Sequence, residues 1–369
     1  MLAVCSASLS DFTPSVRPES GFPVGASNVV CGRQQKAGNG RRMSARRILV
    51  TGGSGFLGSA LVKGLVRQGE TVRVFDDNSR GALRRLRELE RDIEFVRGDI
   101  RDPAGVDAAV RGIDEVHHLA FVNGTATFYS APDLVLDVGV KGIVNLIDAC
   151  RRHGVGQLIL ASSSEVYQSP PRVPTDESAP LVVPDPLNPR LSYGAGKIIS
   201  EMMVINHGRK HFERVLIFRP HNVYGPDMGF DHVIPQFAVR LKRAMSKHAS
   251  GAVPFPIQGS GAETRSFCHV DDLVQGVLVA RAKGEHLGIY HVGTTEEVSV
   301  ADLARRMAKI AGREIVLGPS AVLEGSTPRR CPDISKLAAL GYRPRVPLDE
   351  GLPPTLKWYW DHESMAPAA

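Results

Sequence analysis

Tyr193 and Lys197 have the residue types and the spacing to take a proton from an alcohol. They are four residues apart, so the phenol and the ammonium share one face of the helix that the pattern predicts near 194–209. A neighbouring ammonium lowers the pKa of a phenol, which can then act as a base near neutral pH. Ser163 follows the apolar run Gln157–Leu160 and could hold the alcohol oxygen. The three side chains predict alcohol oxidation by hydride transfer, with a non-catalytic amphipathic helix as the alternative.

Hydride transfer needs an acceptor such as a nicotinamide, and a glycine-rich turn near the start of the regular pattern could hold one. The apolar run Ile48–Val50 leads into Gly52, Gly55 and Gly58, where a helical pattern begins. In such a strand–turn–helix, backbone N–H groups and the positive helix end face a pyrophosphate. The spacing is G-x-x-G-x-x-G rather than the general G-x-G-x-x-G, and a tight turn without a ligand is the alternative.

Acidic residues at the end of the next strand favour NAD over NADP. Asp76 and Asp77 follow the run Val72–Phe75, at the place where a carboxylate accepts hydrogen bonds from the adenosine ribose. Two carboxylates there would repel a 2′-phosphate, although Arg73 and Arg80 lie close in sequence. A one-way NADP-dependent reductase is therefore the less favoured interpretation.

Strand-like runs alternate with helix-length segments from Arg47 onward, which predicts an α/β fold with a doubly wound parallel sheet. Ligands bind at the carboxyl ends of the strands of such a sheet. After Tyr224 the alternation becomes irregular and predicts a smaller second lobe, and residues 168–190 form a proline-rich connection. The predicted strands are 48–50, 72–75, 93–96, 116–119, 157–160 and 215–218, and the predicted helices lie near 57–67, 83–91, 104–111, 133–153 and 194–209.

Composition argues against several classes of function. The 369 residues carry a formal charge of +6, which is too small and too dispersed to indicate nucleic-acid binding. No apolar run approaches the length of a membrane span. Five cysteines without a C-x-x-C pair argue against zinc and for a reducing compartment. We therefore expect no metal, no membrane or nucleic-acid partner, and a cytoplasmic protein.

Residues 1–45 are rich in Ser, Gly, Pro and Arg and poor in acids, which predicts a disordered N-terminal extension. One interpretation is an upstream extension, since a chain starting at Met43 would reach the first strand at a usual distance. A second is an organelle transit peptide, which would place the protein in an organelle. A third is a functional disordered tail. These alternatives leave open whether the mature protein keeps the segment.

The ordered set of motifs along the chain resembles the extended short-chain dehydrogenase/reductase family, the NAD-dependent epimerases and dehydratases of nucleotide sugars. The resemblance extends from Arg47 to about His362. It rests on the motifs TGGSGFLG (51–58), DDNSRG (76–81), GDIRD (98–102), HLAF (118–121), SSSEVY (162–167), YGAGK (193–197), FRPHNVYGP (218–226), GSGAETRSFCHVDD (259–272) and PDISKLAALGYRP (332–344).

The resemblance implies two lobes, a cofactor and a set of site residues. A Rossmann NAD-binding domain would comprise 47–225 plus about 265–295, and a nucleotide-sugar-binding lobe would comprise 226–264 and 296–362. The implied homodimer would pair through helices around 133–153 and 191–209. The implied cofactor-binding residues are Gly52, Gly55, Phe56, Leu57, Gly58, Asp76, Asp77, Asn78, Asp99, Ile100, Leu119, Ala120, Tyr193, Lys197 and Pro220. The implied catalytic residues are Ser163, Glu165, Tyr193 and Lys197, and the implied substrate-binding residues are Ser164, Asn222 and Arg265.

Four positions depart from the family pattern near the sugar side of the expected site. Phe121 stands where the fourth-strand motif usually has a second alanine. Gly139 and Ile143 replace the Asn and Thr that the following helix usually carries, and His221 stands at a position that is often aromatic or Thr. These departures weaken the transfer of any particular substrate without threatening cofactor binding.

Glu165 bears on which reaction follows the shared first step, in which Tyr193 takes the C4 hydroxyl proton of a nucleotide sugar. Its segment is similar to those of UDP-glucuronate decarboxylases and dTDP-glucose 4,6-dehydratases, and a carboxylate there could have a raised pKa. The alternative is a salt bridge to a loop Lys or Arg. Ser164 stands where a dehydratase would have an Asp, and residues 122–129 lack the proline-rich pattern of decarboxylases. We narrowly favour a dehydratase or decarboxylase over a 4-epimerase, and weigh a non-catalytic NAD-binding sensor or scaffold as the non-enzyme alternative.

Overall fold

A seven-stranded parallel sheet with helices on both faces forms the centre of the protein. The structure is a computed structural model that describes residues 45–248, 250–320 and 327–367. From Ala45 onward these residues form one compact unit. The sheet order is β3–β2–β1–β4–β5–β6–β11. The predicted extension 1–45 lies outside the described residues except for its last residue.

The strands and helices have the following bounds. The strands are β1 (Arg47–Thr51), β2 (Thr71–Asp76), β3 (Ile93–Arg97), β4 (Glu115–His118), β5 (Gln157–Ala161), β6 (Arg214–Pro220), β7 (Val223–Tyr224), β8 (Val253–Gln258), β9 (Thr264–Ser266), β10 (Cys268–His269), β11 (Gly288–Val292), β12 (Glu297–Ser299), β13 (Ile315–Ser320) and β14 (Arg329–Arg330). The helices are α1 (Phe56–Arg67), α2 (Pro103–Val110), α3 (Thr125–Ser130), α4 (Pro132–Leu136), α5 (Gly142–His153), α6 (Ser192–His211), α7 (Val233–Lys247), α8 (Val270–Lys283), α9 (Val300–Ile310), α10 (Ser335–Ala339) and α11 (Leu348–Asp361).

The central strands are apolar on both faces because helices cover both sides. Leu49 of β1 packs into one core with α2 and α5, while Ile48 and Val50 pack into a second core with α1 and α8. This is the burial that parallel sheets require, and it explains why the strands consist of short continuous apolar runs. The predicted doubly wound sheet is thus confirmed.

The smaller C-terminal part surrounds a third core. Helices α7, α9 and α11 pack there around Phe255, Leu303 and Leu352, and the sheets β8–β13, β7–β10 and β12–β9–β14 lie outside the central sheet. The chain enters the central sheet a last time through β11, which pairs with β6 in parallel. The exact division into two lobes stays a prediction.

The predicted elements differ from the observed ones at two places. Residues 83–91 were expected to form a helix, and Leu83–Leu89 instead form a 3₁₀ helix with one buried side chain, Leu86. The long helix predicted over 133–153 is α4 and α5 joined by a π-helical turn at Asp137–Lys141. No helix in the described part of the chain is long and apolar enough to span a membrane.

Candidate active site

A cavity of about 590 Å³ lies along the carboxyl ends of the central strands. It extends from the turn after β1, past the ends of β2 and β3, to the ends of β4, β5 and β6. Of the residues predicted for the site, only Asn78 and Arg265 lie outside its wall. The predicted residues that line it are Gly52, Gly55, Phe56, Leu57, Gly58, Asp76, Asp77, Asp99, Ile100, Leu119, Ala120, Ser163, Ser164, Glu165, Tyr193, Lys197, Pro220 and Asn222.

The turn after β1 is so tight that a side chain would clash with the backbone at two of its positions, Gly52 and Gly58. Gly52 has φ +71°, and a Cβ there would lie 2.7 Å from the backbone nitrogen of Ala120. A Cβ on Gly58 would collide with the carbonyl oxygen of Gly52. Gly55 precedes α1 and leaves the first N–H groups of the helix without a side-chain cap. These features form a cradle in which backbone donors and the helix dipole suit a pyrophosphate.

Asp76 is buried at the end of β2 and fixes the shape of this turn. Its Oδ2 accepts from the backbone nitrogen of Ser54 at 3.0 Å, and its Oδ1 accepts from that of Asn78 at 2.8 Å. Asn78 accepts from the Ser54 hydroxyl at 2.8 Å, so it supports the turn from outside the cavity. Asp77 lines the cavity and accepts from both the nitrogen and the hydroxyl of Ser79. The carboxylates keep lone pairs for ribose hydroxyls, so this end fits a dinucleotide.

Asp99 and Ile100 form the wall beyond β3. The hydrogen bond from Arg101 to Asp99, 2.5 Å between Nη2 and Oδ2, holds the pKa of that carboxyl below its usual value. Ile100 is 5% exposed and its carbonyl accepts from Asn145 of α5 at 3.1 Å. The two predicted cofactor-binding residues are therefore held in place by Arg101 and Asn145.

Tyr193 lies in an aromatic environment beside Ser163. Its ring stacks on Phe128 at a centroid distance of 5.0 Å and meets Phe121 edge-on at 5.2 Å. Burial raises the pKa of Tyr193 well above its usual value, and the hydrogen bond with Ser163 lowers it, while the charge of Glu165 raises it further. The phenol is therefore protonated at neutral pH unless positive charge is brought beside it.

Lys197 is buried one turn along α6. Its Nζ donates to the carbonyl oxygen of Ala161 at 2.7 Å and lies 4.0 Å from the centre of the Phe121 ring. It lies 5.8 Å from the centre of the Tyr193 ring. Burial lowers the pKa of Lys197 to about 7, against the opposing charge of Glu201. The charge of Lys197 at neutral pH therefore depends on its contacts.

Glu165 is ion-paired rather than a free acid. Its Oε1 accepts from Nη1 of Arg330 at 2.6 Å, and its Oε2 lies 3.8 Å from Nη1 of Arg190. Burial raises the pKa of Glu165, but the charges of Arg330, Arg190 and Arg265 and the Arg330 hydrogen bond outweigh it and leave the pKa lowered. The expected raised pKa is therefore wrong, because the folded chain brings three guanidinium groups to one carboxylate. The salt-bridge alternative describes the observed contact.

The predicted substrate-binding residues divide between the cavity wall and its surroundings. Ser164 is buried in the wall, and Asn222 lines it with φ +37° while its side chain donates to the carbonyl of Ser266 at 3.1 Å. Arg265 lies behind the wall and donates to the carbonyl of Thr264 at 2.7 Å. Burial and the charge of Arg330 lower the pKa of Arg265 to about 10. Arg265 thus adds positive charge to the site without contacting the cavity.

The family comparison agrees with this geometry. The sequence pattern of the NAD dependent epimerase/dehydratase family matches residues 48–293. This chain belongs to that family. It is 33% identical over 318 residues to UDP-glucuronic acid decarboxylase 1 of Arabidopsis thaliana, and the alignment covers 83% of this chain and 68% of the plant protein. The predicted resemblance is confirmed.

Two solved structures extend the comparison to other branches of the family. The dTDP-glucose 4,6-dehydratase from Streptomyces venezuelae, solved with NAD bound, has a TM-score of 0.76 and 29% identity, and the match covers 86% of this chain and 98% of that one. The UDP-glucose 4-epimerase of Thermus thermophilus, in complex with NAD, has a TM-score of 0.73 and 28% identity, covering 85% and 99% of the two chains. Structural homologues of this chain therefore bind NAD.

Arg330 and Arg190 were missed by the sequence reasoning. Arg330 lies 165 residues from Glu165, and nothing in the local pattern of β14 connects the two. Its position two residues before the PDISK motif was the one available signal. Arg190 lies three residues before Tyr193, and its Nη1 is buried without a hydrogen-bond partner among the described residues. Arg330 lines the cavity and Arg190 does not, and both place positive charge beside Glu165.

A buried polar network below Tyr193 and Lys197 was also missed by the sequence reasoning. Arg219 of β6 donates to both carboxylate oxygens of Glu201, at 2.9 and 2.6 Å, and also to the Tyr167 phenol oxygen. Ser162 donates to the same carboxylate, and Tyr167 contacts the His291 ring nitrogen at 2.6 Å. This network joins β5, β6, β11 and α6 at the strand ends. No group of His, Cys, Asp and Glu residues that could hold a metal ion occurs among the described residues.

Proposed function

We propose that this chain is an NAD-dependent enzyme that oxidises C4 of a nucleotide-linked uronic acid and then removes its carboxylate as carbon dioxide. The observation that carries the proposal is the ionised Glu165 surrounded by Arg330, Arg190 and Arg265. A cationic cluster at the sugar end of the cavity suits a sugar that carries a carboxylate. The similarity to the plant UDP-glucuronic acid decarboxylase supports the same branch.

The first step assigns roles to Ser163, Tyr193 and Lys197. Ser163 holds the C4 hydroxyl, and Tyr193 as phenolate takes its proton. NAD⁺, when bound, would take hydride from C4, return it at the end of the cycle, and bring positive charge beside the phenol. Lys197 stabilises the phenolate by its charge, which its pKa of about 7 makes sensitive to pH. Substitution of Tyr193 tests this assignment of roles.

The second step favours loss of carbon dioxide over loss of water. With a ketone at C4, the bond between C5 and the carboxylate carbon breaks, and its electron pair moves to the C4 oxygen as an enolate. C5 then takes up a proton. Elimination of water from C6 needs an acid to protonate the leaving hydroxyl, and Ser164 supplies only an alcohol there, while the pKa of Glu165 is lowered.

Product analysis tests the proposal directly. Purified protein is incubated with UDP-glucuronate and, separately, with dTDP-glucose, and the products are analysed by mass spectrometry. We expect loss of carbon dioxide from the uronate. Glu165→Gln removes the carboxylate that neutralises Arg330, and the unpaired guanidinium would then hold the substrate carboxylate in place. We therefore expect this variant to stop decarboxylation while slow C4 oxidation continues, and unchanged product formation would place Glu165 among structural residues.

A 4,6-dehydratase is the second candidate. It is supported by the match to the Streptomyces venezuelae dehydratase, which covers 98% of that chain, and by a carboxylate at the strand end. Loss of water from dTDP-glucose with an unchanged uronate would replace the decarboxylase proposal by this one. An isobaric product that separates by chromatography would indicate a 4-epimerase. Bound NAD without any conversion would favour the sensor interpretation.

The cofactor and the assembly are part of the proposal. Asp76 and Asp77 favour NAD over NADP, so the nucleotide released by denaturing the purified protein should be NAD.

Val144 of α5 and Ile199 and Met202 of α6 are 37%, 41% and 56% exposed, so these neighbouring helices present apolar surface to solvent. A homodimer that pairs α5 and α6 of two copies would cover this surface. Sedimentation or light scattering measures its mass.

A further inference from the structure

Phe121 fills a space that two glycines leave open beside the catalytic lysine. A Cβ on Gly139, in the π-helical turn, would lie 2.5 Å from Cε2 of the ring and still closer to Cζ. A Cβ on Gly196 of α6 would lie 2.9 Å from Cζ. The ring therefore requires glycine at both positions. Phe121 and Gly139, both departures from the family pattern, occupy one shared space and form a matched pair.

The face of the same ring supports the Lys197 ammonium. Nζ lies 4.0 Å from the ring centre, within the range of a cation–π contact, and donates to the Ala161 carbonyl at 2.7 Å. Such a contact is strongest when the cation is shielded from water, and the Lys197 side chain is buried. The negative face of the ring favours the charged form of lysine, whereas burial favours the neutral form.

We propose that Phe121 is a positioning residue for catalysis, holding the Lys197 ammonium in place and in its charged form through the face of its ring. In this site the ring stands beside Gly139, where the family pattern has a polar Asn side chain. The step from this contact to turnover rests on the proposed function, but the contact itself does not.

The other groups around Lys197 define what the experiment must separate. Glu201, one turn further along α6, favours the charged form of Lys197. Tyr193 lies one turn back on the same helix. His118 on β4 is fully buried, and its pKa is lowered to about 3 by burial and by the Lys197 charge, so it stays neutral across the working range. A change of the Phe121 ring leaves Glu201 and His118 unaltered. Because that ring also meets Tyr193 edge-on at 5.2 Å, the experiment measures the pKa of Lys197 itself.

The test measures the pKa of Lys197 by NMR in protein carrying ¹³C at the lysine ε-carbon, with the signal assigned by its loss in Lys197→Met. Replacing Phe121 by pentafluorophenylalanine keeps the ring shape and reverses the charge of its face. We expect the pKa of Lys197 to fall by about one unit, since a buried cation–π contact has roughly that strength. An unchanged pKa would overturn the proposal.

Two further variants distinguish positioning from simple packing. Gly139→Ala should displace the ring and lower the pKa of Lys197 although residue 121 is unaltered. Pentafluorophenylalanine at Phe128, whose ring stacks on Tyr193, is the matched control and should leave the pKa of Lys197 unchanged. If the control lowers it equally, a general effect of fluorination explains the shift and the proposal fails.

The pH profile of turnover connects the contact to catalysis. Because the charged lysine is the active form, a lower pKa at Lys197 should move the alkaline limb of kcat to lower pH in the Phe121 variant. A wild-type protein that converts no substrate would refute the proposed function. The pKa of Lys197 measured by NMR would still test its contact with Phe121, because that measurement needs no turnover. If the pKa of Lys197 measured by NMR falls in the Phe121 variant but the alkaline limb of kcat does not move, the role of Phe121 in catalysis is overturned.

Discussion

The two ends of the cavity differ in how far apart along the chain their contacting residues lie. The proposed nucleotide end, made of the turn after β1 and the ends of β2 and β3, uses backbone groups and short-range partners such as Ser54 with Asp76, 22 residues apart. The proposed sugar end, at the carboxyl ends of β4 to β6, uses side chains such as Glu165 and Arg330, 165 residues apart. A local motif can encode the first kind of contact, whereas the second exists only once the whole chain has folded.

Tyr193→Phe should have the largest effect, and it should leave the nucleotide end intact. The ring keeps its packing on Phe128 and loses only the group that exchanges a proton, so turnover should fall by about 10²–10⁴-fold. Turnover of UDP-glucuronate and the NAD content after denaturation are measured together. Tyr129→Phe, at a tyrosine 41% exposed, is the control. Wild-type activity in Tyr193→Phe would remove the proposed base.

Gly58→Ala should selectively affect the proposed nucleotide end of the cavity. The added Cβ would collide with the Gly52 carbonyl oxygen, and overpacking of this kind costs about 1–3 kcal/mol. If the strain falls on the cradle, the affinity for NAD drops by about tenfold to a hundredfold, as isothermal titration would measure. In Gly318→Ala the nearest atom is 3.8 Å from the new Cβ, so this control should bind normally. Normal NAD affinity in Gly58→Ala would show that the turn tolerates the change.

Arg330→Gln should alter the sugar end through its charge. Arg330 holds the pKa of Glu165 below its usual value, so removing it raises that pKa. Activity that depends on the carboxylate is present above its pKa and is lost as the pH falls through it. The acid limb of kcat/KM should therefore move to higher pH, with roughly a tenfold loss of activity. Arg329→Gln, which removes an exposed partner of Glu297, should leave the limb in place, and an unmoved limb in Arg330→Gln would contradict this account.

Met202→Glu should have the smallest effect on chemistry, because α6 presents this side chain on the surface away from both ends. A charge in the proposed homodimer contact should convert the protein to monomers by light scattering, with turnover within about twofold. Met365→Glu, at a methionine 42% exposed outside α5 and α6, is the control. A wild-type protein that is already monomeric would refute the assembly.

The same contrast explains what could be predicted from the sequence. The strand bounds at β1, β2 and β5 and the glycine turn were predictable because each depends on a few consecutive residues. The ion pair of Glu165 was not, since β14 approaches that residue only in the folded chain. The lowered pKa followed from three arginines that no short pattern groups together. Phe121 was noticed as a departure, but its contact with Lys197 required the packing of two glycines.

The late return of the chain to β11 has a consequence for synthesis of the protein. Strand β6 ends at Pro220, but its neighbour β11 ends only at Val292, after α7, α8 and the first strands of all three smaller sheets. While the ribosome makes the intervening segment, one side of β6 has no strand partner, and an unpaired edge promotes aggregation. Nascent chains stalled before Gly288 should therefore bind chaperones that release chains extended past Val292.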